Sequence, residues 1–407
     1  ISICRHIHCG NKAHHEEPKF YGIAIRIIYL PLSMARNVHQ RFLQFSIYCK
    51  IMKKRFLRRL LLIITLAGIF FYTGNIVMQS DFYVRSMNHP VMNVSGAERG
   101  RCCASIHHSL DICGRSDCFW NCPSFEPQFP IPQRDLEKAF FLETSGARNV
   151  NFRQACAIES LALMNPHLTV ILLMSGKDID LESTTMKTLR KYDNIKIYVI
   201  KLGDYFIHTP LEQWYFCSTW NYGPYAVSHL SDALRFLTLY KYGGYYFDLD
   251  IIMIQPVTHY RNFIGAENEN NLAAGAFHVD YLHPVIRMAV EEFRDTYRKD
   301  IWGHNGPLLL TRVMTKWCST EKITEMNSNS CYGFEILPPK TFYPIEWCKW
   351  MRYFLDKIIT WENDTIGIHV WNQKSASQTV SKNSTQVYTQ LARSNCPSIF
   401  RRAPNVF

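Results

Sequence analysis

The sequence predicts an α/β domain with a mostly parallel central sheet, preceded by a single N-terminal transmembrane helix. Between residues 139 and 200, short apolar runs and one segment of helical periodicity follow the order strand, helix, strand, strand. Residues 60–78 form an apolar run of 19 residues without a formal charge. As a helix this run is about 28 Å long, close to the hydrocarbon thickness of a bilayer.

The first elements of the domain are read from apolar runs and their boundaries. Residues 139–142 form a first strand that ends at a polar turn, and residues 152–165 form a helix that Pro166 stops. Residues 168–174 and 195–200 are further apolar runs, as expected for parallel strands that are buried on both faces. Such an order packs helices against a mostly parallel sheet.

The second part of the domain supplies the polar residues of interest. Residues 227–242 predict a helix, which Gly243 and Gly244 end because glycine tolerates a left-handed cap. A strand over residues 245–254 is expected next. Residues 366–370 alternate in the manner of another strand.

Basic residues are concentrated at the N-terminus. Residues 1–59 hold 12 Lys and Arg against two acids, whereas the other 348 residues hold 33 bases and 32 acids. The bulk of the chain therefore presents no excess positive field to a nucleic acid. The positive-inside rule places the N-terminus in the cytoplasm and the C-terminal bulk in the lumen. A cleaved signal peptide is the alternative interpretation of the apolar run.

These features divide the chain into four parts. Residues 1–59 are a cytoplasmic tail, of which we expect residues 1–51, upstream of Met52, to lie outside the mature protein. Residues 60–78 are a signal-anchor, residues 79–135 a luminal stem, and residues 136–407 the folded domain.

Cysteine usage and glycosylation sequons fit a luminal setting. Of 14 cysteines, 11 follow the apolar segment, an odd number that leaves at least one free or paired between chains. Cys318 and Cys331 flank a polar stretch and are expected to form one bridge. Asn93, Asn363 and Asn383 begin acceptor sequons.

Asp248 and Asp250 are the sharpest chemical signal. In an extended strand, residues two apart point the same way, so both carboxylates are expected to project together. Two buried like charges need a counter-cation, and a hard divalent ion that also accepts diphosphate oxygens meets this need. A solvated pair of aspartates at a strand end is the alternative interpretation.

Other charged residues flank this pair. Asp232 and Arg235 share one face of the preceding helix and are expected to contact donor hydroxyls and phosphates, with a surface ion pair as the alternative. His369 is a candidate third metal ligand, although a lone histidine is more often structural. Lys374 follows it and could neutralise a leaving diphosphate.

Several motifs give a specific resemblance. Ser231-Asp-Ala-Leu-Arg-Phe236 and Tyr242-Gly-Gly-Tyr-Tyr-Phe-Asp-Leu-Asp250 look like those of the DXD-sugar-binding glycosyltransferases. Seven further motifs resemble one branch of them, the α-1,4-galactosyltransferase (globotriaosylceramide synthase) and α-1,4-N-acetylglucosaminyltransferase family. In chain order they are Phe141-Leu-Glu-Thr-Ser145, Trp302-Gly-His-Asn-Gly-Pro307, Leu310-Thr-Arg-Val313, Lys316-Trp-Cys318, Leu337-Pro-Pro339, Phe342-Tyr-Pro-Ile345 and His369-Val-Trp-Asn372. The resemblance covers about residues 138–400.

The resemblance implies a GT-A type, Rossmann-like nucleotide-sugar-binding domain, a UDP-sugar donor, Mn²⁺ or another divalent cation, and retention of anomeric configuration. By motif, Asp248 and Asp250 are the catalytic pair and bind the metal with His369. The implied donor-binding residues are Glu143, Thr144, Asp232, Arg235, His304, Asn305, Trp371 and Lys374. No residue is defensible as a nucleophile, which favours attack of the acceptor on the same face of the sugar.

The expected activity is transfer of a hexosyl group, galactose from UDP-galactose, in α-1,4 linkage onto a glycolipid such as lactosylceramide. The chain would then be a single-pass type II protein of the Golgi membrane with a luminal catalytic domain. An α-1,4-N-acetylhexosaminyltransferase acting on glycolipid or O-glycan acceptors stays open, as does an inactive carbohydrate-binding relative. A metal-dependent phosphohydrolase would usually show more clustered carboxylates and histidines than this chain does.

Overall fold

The computed structural model describes residues 137–407, which form an α/β domain around a seven-stranded sheet. The strands in chain order are β1 (Lys138–Glu143), β2 (Thr169–Met174), β3 (Ile195–Val199), β4 (Gly244–Phe247), β5 (Ile251–Met253), β6 (Phe263–Ala266), β7 (Leu272–Val279), β8 (Glu335–Leu337) and β9 (Gly367–His369). The large sheet has the order β3-β2-β1-β4-β7-β6-β8, and β5 pairs with β9 in a separate sheet.

The central sheet is mostly parallel, as the sequence predicts. Strands β1 to β4 pair in parallel, as do β6 and β8, while β7 runs antiparallel to both β4 and β6. Four of its six strand pairs are therefore parallel.

Helices cover both faces of this sheet. They are α1 (Phe152–Met164), α2 (Thr184–Leu189), α3 (Leu202–Phe206), α4 (Glu212–Cys217), α5 (Ala226–Tyr242), α6 (Pro284–Thr296), α7 (Pro307–Cys318), α8 (Pro339–Phe342), α9 (Asn372–Ser375), α10 (Val387–Asn395) and α11 (Pro397–Arg402). Short 3₁₀ helices occur at Trp220–Tyr222, Ile323–Glu325 and Trp347–Phe354. The predicted helices over residues 152–165 and 227–242 are confirmed to within one residue at each end.

The two-residue period of β1 explains how the core is divided. Phe140 and Leu142 pack on one face of the sheet with α5, whereas Ala139 and Phe141 pack on the other face with α1. All four side chains are buried. A continuous apolar run is what a strand covered on both faces requires.

Two glycines connect α5 to the central strand β4. Gly243 and Gly244 have φ angles of 62° and 102°, which L side chains rarely adopt. A Cβ atom on Gly244 would also lie 2.5 Å from the carbonyl oxygen of Lys138. The glycine pair therefore both ends the helix and lets β4 approach β1.

The predicted single strand over residues 245–254 is wrong. Residues 248–250 form a turn, closed by a hydrogen bond of 3.1 Å from Ile251 N to the carbonyl oxygen of Asp248. The chain leaves the large sheet at Phe247 and enters the small sheet at Ile251. The switch occurs because β5 pairs with β9 instead of continuing along β7.

Disulfides fasten the C-terminal segment to the domain. Cys156 on α1 bonds to Cys396, which precedes α11, and Cys318 bonds to Cys331 as expected. The buried carboxylate of Glu159, one turn along α1, accepts hydrogen bonds from the N–H groups of Ser398 and Ile399 at 2.8 and 2.7 Å. The Cys156–Cys396 bridge and Glu159 thereby fasten the chain that follows β9 to α1.

Several predictions fall on residues outside the described range: the cytoplasmic tail, the signal-anchor over 60–78, the stem and the sequon at Asn93. Within residues 137–407, none of the helices has the length and apolar character needed to cross a membrane. Asn363 and Asn383 are exposed.

Candidate active site

The turn between β4 and β5 and the end of β9 bring three side chains together. Antiparallel pairing places Ile251 opposite His369, so the histidine lies beside the turn that holds Asp248 and Asp250. Its Nε2 atom is 3.8 Å from Asp248 Oδ2 and 3.2 Å from Asp250 Oδ1. One ligand atom from each of the three residues lies within 4.8 Å of the others. The aspartates thus converge through a turn and not through strand alternation.

Each aspartate uses one carboxylate oxygen to hold its position. Asp248 Oδ1 accepts a hydrogen bond of 2.7 Å from the Tyr246 hydroxyl, and Asp250 Oδ2 accepts one of 2.6 Å from Asn372 N. The other oxygens, Asp248 Oδ2 and Asp250 Oδ1, face His369. Two carboxylate oxygens and one imidazole nitrogen are a suitable donor set for Mn²⁺ or a similar divalent ion.

Asp232 and Arg235 form a buried pair, so the surface ion pair considered above is wrong. Their side chains are only 8% and 9% exposed. The guanidinium lies 3.4 Å from Asp232 and 3.3 Å from Asp248, donates to the Ala274 carbonyl at 2.7 Å, and stacks over Tyr246. Arg235 therefore braces the first aspartate of the DXD motif, and its contact with the donor stays a prediction.

Burial and charge act against each other on the ionisable groups of the site. Burial alone would raise the pKa of Asp248, but Arg235 and His369 lower it below its ordinary value. Burial would lower the pKa of His369, but Asp250 and Asp248 raise it overall. Burial raises the pKa of Asp232 to about 7 despite Arg235. The cluster accordingly attracts cations, including protons, at its metal-facing side.

The segment after β9 turns sharply. Trp371 has a left-handed conformation, with φ of 54°, and its indole N–H donates to the Ile345 carbonyl at 2.7 Å. The single turn α9 follows at once and carries Lys374, whose ammonium lies 5.5 Å from the centre of the Trp347 ring. His369 and Lys374 are thus joined by a short, anchored connection.

Glu143 and Thr144 lie where β1 ends, as predicted. The buried Glu143 carboxylate accepts hydrogen bonds from the N–H groups of Ser145 and Ala147 at 3.0 and 3.1 Å, which fixes the following loop. Thr144 Oγ1 donates to the Val227 carbonyl at 3.4 Å. These contacts shape the loop at the carboxyl edge of the sheet, and nucleotide contacts there stay a prediction.

His304 and Asn305 have backbone partners. Asn305 is buried and pairs through its amide with both the N–H and the carbonyl of Arg298, at 2.9 and 2.7 Å. His304 Nε2 lies 2.9 Å from the Thr296 carbonyl. Next to them, a Cβ atom on Gly306 would lie 2.5 Å from Asp232 Oδ1. The loop thereby lies against the buried acid, and the sugar-positioning role stays a prediction.

Three residues near the cluster were not predicted as site residues. Tyr246 orients Asp248, Tyr343 packs its ring 5.3 Å from that of His369, and the negative charge of Glu267 contributes to the raised pKa of His369. The two tyrosines belong to motifs that carry the family resemblance. Glu267 follows β6 in a hairpin, and nothing in its local sequence distinguishes it from a solvated loop acid.

Comparison with known families covers most of the described domain. Residues 151–271 match the model of a glycosyltransferase sugar-binding region containing the DXD motif, and residues 278–403 match that of an alpha 1,4-glycosyltransferase conserved region. The first range contains Asp232, Arg235 and both aspartates of the candidate metal site, and the second contains His369. A chain with this fold and site is a glycosyltransferase of the DXD class.

Individual relatives show which family of DXD glycosyltransferases the chain belongs to. Rat lactosylceramide 4-alpha-galactosyltransferase is 34% identical over 68% of this chain and 81% of that protein. Human alpha-1,4-N-acetylglucosaminyltransferase is 29% identical over 72% of this chain and 91% of that protein. The chain therefore belongs to the α-1,4-glycosyltransferase family. The PaToxG glycosyltransferase structure, at 18% identity, aligns over 54% of this chain and 78% of that one with a TM-score of 0.35, too low to support an argument.

Proposed function

We propose that this protein transfers galactose from UDP-galactose, in α-1,4 linkage and with retention, onto a glycolipid such as lactosylceramide. The observation that carries the proposal is the convergence of Asp248, Asp250 and His369 in a chain that belongs to this family. The galactosyl donor and the glycolipid acceptor follow the named relatives, several of which are 34% identical to this chain. A GT-A type domain is part of the same proposal.

The proposed roles follow from charge. As the sugar–phosphate bond breaks, negative charge grows on the diphosphate and positive charge on the sugar. Asp248, Asp250 and His369 would hold Mn²⁺, which when bound supplies a Lewis acid for the diphosphate oxygens. The Lys374 ammonium would neutralise the same group, and Arg235 with Asp232 would orient the donor. The acceptor hydroxyl would attack on the face that the diphosphate leaves, and the leaving phosphate would take the proton of that hydroxyl.

The test uses the full chain in detergent with lactosylceramide and a set of UDP-sugars, with Mn²⁺ or with chelator. We expect a trihexosyl product from UDP-galactose, lost with chelator and lost in Asp250→Ala, which removes a charged ligand. Product from UDP-N-acetylglucosamine alone would replace the galactosyl assignment by the N-acetylhexosaminyl one. Absence of transfer from every donor would instead favour an inactive carbohydrate-binding protein.

We also propose a luminal orientation in the Golgi membrane. It is supported by the basic residues that precede the apolar run at 60–78 and by the sequons at Asn93, Asn363 and Asn383. Glycosidase treatment of the membrane-expressed protein should shift its band on a gel. If no band shifts and protease reaches the C-terminus in sealed vesicles, the orientation is wrong.

A further inference from the structure

Tyr343 holds a buried hydroxyl to which the described part of the chain gives no hydrogen bond. The residue is 3% exposed, and its Oη atom has no hydrogen-bond partner within residues 137–407. Burial of an unpaired hydroxyl is unfavourable, and a phenylalanine would fill the same ring volume without that cost. A buried donor of this kind calls for an explanation, and a ligand oxygen is one that its position can supply.

The hydroxyl lies beside the metal-facing side of the aspartate cluster. A Cβ atom on Gly275 would lie 2.8 Å from Asp248 Oδ2 and 3.1 Å from Tyr343 Oη, so both atoms border the same glycine. The tyrosine ring also packs against His369 and Trp371, with centroid distances of 5.3 and 5.6 Å. These ring contacts restrict the orientation of the tyrosine side chain and with it the position of Oη.

The surrounding charges keep this hydroxyl protonated. Burial first, and then the charges of Asp248, Glu267 and Asp250, raise the pKa of Tyr343 well above its ordinary value. A protonated phenol is a hydrogen-bond donor. Asp248 Oδ1 is already engaged by Tyr246 and Arg235, and Oδ2 is the oxygen that faces the candidate metal position. The Tyr343 hydroxyl thus lies beside the candidate metal position, where oxygen atoms of a metal-bound ligand are expected.

We propose that Tyr343 is a donor-binding residue whose hydroxyl hydrogen-bonds a diphosphate oxygen of the nucleotide-sugar. This inference rests on the proposed function, which supplies the divalent ion and the diphosphate. Asp248 Oδ2 would hold the ion, and the oxygen ligands of such an ion, at about 2 to 2.6 Å from it, would lie in the region that Oη also borders. A phosphate oxygen is the strong, negatively charged acceptor that a buried phenol lacks here.

The experiment compares Tyr343→Phe with Tyr205→Phe, a second buried tyrosine. The Tyr205 hydroxyl is satisfied within the fold, at 2.8 Å from Thr238 Oγ1. Calorimetric titrations measure the affinity of the full-length protein in detergent for Mn²⁺ alone, for UDP with Mn²⁺, and for uridine. Melting curves are recorded in parallel without and with UDP and Mn²⁺.

We expect the two variants to differ in opposite ways, one in UDP affinity and the other in melting temperature. Tyr343→Phe should weaken UDP binding about 10-fold in the presence of Mn²⁺, the loss typical of one charge-assisted hydrogen bond. Its affinities for uridine and for Mn²⁺ alone, and its melting temperature without ligand, should match those of the wild type. Tyr205→Phe should lower the melting temperature and leave UDP affinity unchanged.

Two results would overturn the inference while leaving the proposed function intact. In the first, Tyr343→Phe binds UDP as tightly as the wild type does. In the second, its UDP and uridine affinities fall together with its melting temperature, which would mark the hydroxyl as structural. Failure of the wild type to bind UDP with Mn²⁺ would overturn both the inference and the proposed function.

Discussion

Gly275→Ala tests how closely the first aspartate of the DXD motif must be held. Gly275 lies on β7 directly beneath the turn, and its carbonyl accepts a hydrogen bond of 2.8 Å from Asp248 N. The added Cβ would lie 2.8 Å from Asp248 Oδ2, whereas ordinary contact begins at 3.4 Å. The metal-facing oxygen must therefore move by about 0.6 Å. Arg235 and Tyr246 hold the other oxygen, so the carboxylate must twist instead of sliding away.

A displacement of this size should weaken metal binding strongly and change the free energy of unfolding only a little. Functional groups must be held within about 0.5 Å of their productive positions. Mutation of a residue that orients a metal ligand typically lowers metal affinity about 10–100-fold. Manganese titration of transferase activity should show such a rise in half-saturation, with the melting temperature little changed. Gly303→Ala is the control, because its Cβ meets only Pro307 Cγ, at 3.7 Å. Equal manganese requirements in both variants would refute the assigned geometry.

Three further predictions concern neighbouring parts of the structure. Carboxylates raise the pKa of His369 above its ordinary value, so protons should compete with manganese for this residue as the pH falls through that raised pKa. In manganese titrations of transferase activity, His369→Ala should need more manganese at neutral pH and should lose this pH dependence. Arg235→Ala should leave the buried Asp232 and the partly buried Asp248 without this counter-charge and lower the free energy of unfolding by about 3–5 kcal/mol in urea melts. An unchanged midpoint would contradict the buried pairing. The Cys156–Cys396 bridge closes a separation of 240 residues, against 13 for Cys318–Cys331. By chain entropy the first should contribute about 5 kcal/mol and the second about 3, which denaturation of paired Cys→Ser variants can compare.

The central sheet could be predicted because its signals are local. The runs at residues 139–142, 168–174 and 195–200 are strands since each is apolar throughout, and α5 is bounded by glycines that no other residue replaces easily. The sequence alone could not show that residues 245–254 form two strands separated by a turn. Its residues remain apolar on both sides of the aspartates, and only the distant pairing with β9 decides where the chain changes sheets.

The site shows the same distinction between local and tertiary signals. The aspartates were found through a motif, although the argument from strand alternation does not hold in a turn. The burial of Arg235 depends on contacts with Ala274 and Asp248, which lie on other elements, so sequence spacing alone could not exclude a surface ion pair. Tyr343 and Glu267 approach the cluster only through the packing of the fold.

The charge of the site predicts that the divalent ion and the diphosphate each strengthen the binding of the other. Among the described residues, four carboxyl groups lie in this region, those of Asp232, Asp248, Asp250 and Glu267. Arg235 contacts Asp232 and Asp248, and His369 contacts Asp248 and Asp250, so the acids outnumber these two basic groups. A diphosphate entering without a metal would meet net negative charge, whereas a bound divalent ion makes its approach favourable. We therefore expect UDP affinity to fall at least 10-fold when Mn²⁺ is removed, and UDP in turn to tighten Mn²⁺ binding by the same factor, as linkage requires. Calorimetry of each ligand with and without the other measures both factors. UDP binding that is independent of Mn²⁺ would show that other cations of the chain neutralise the diphosphate and that the cluster has another role.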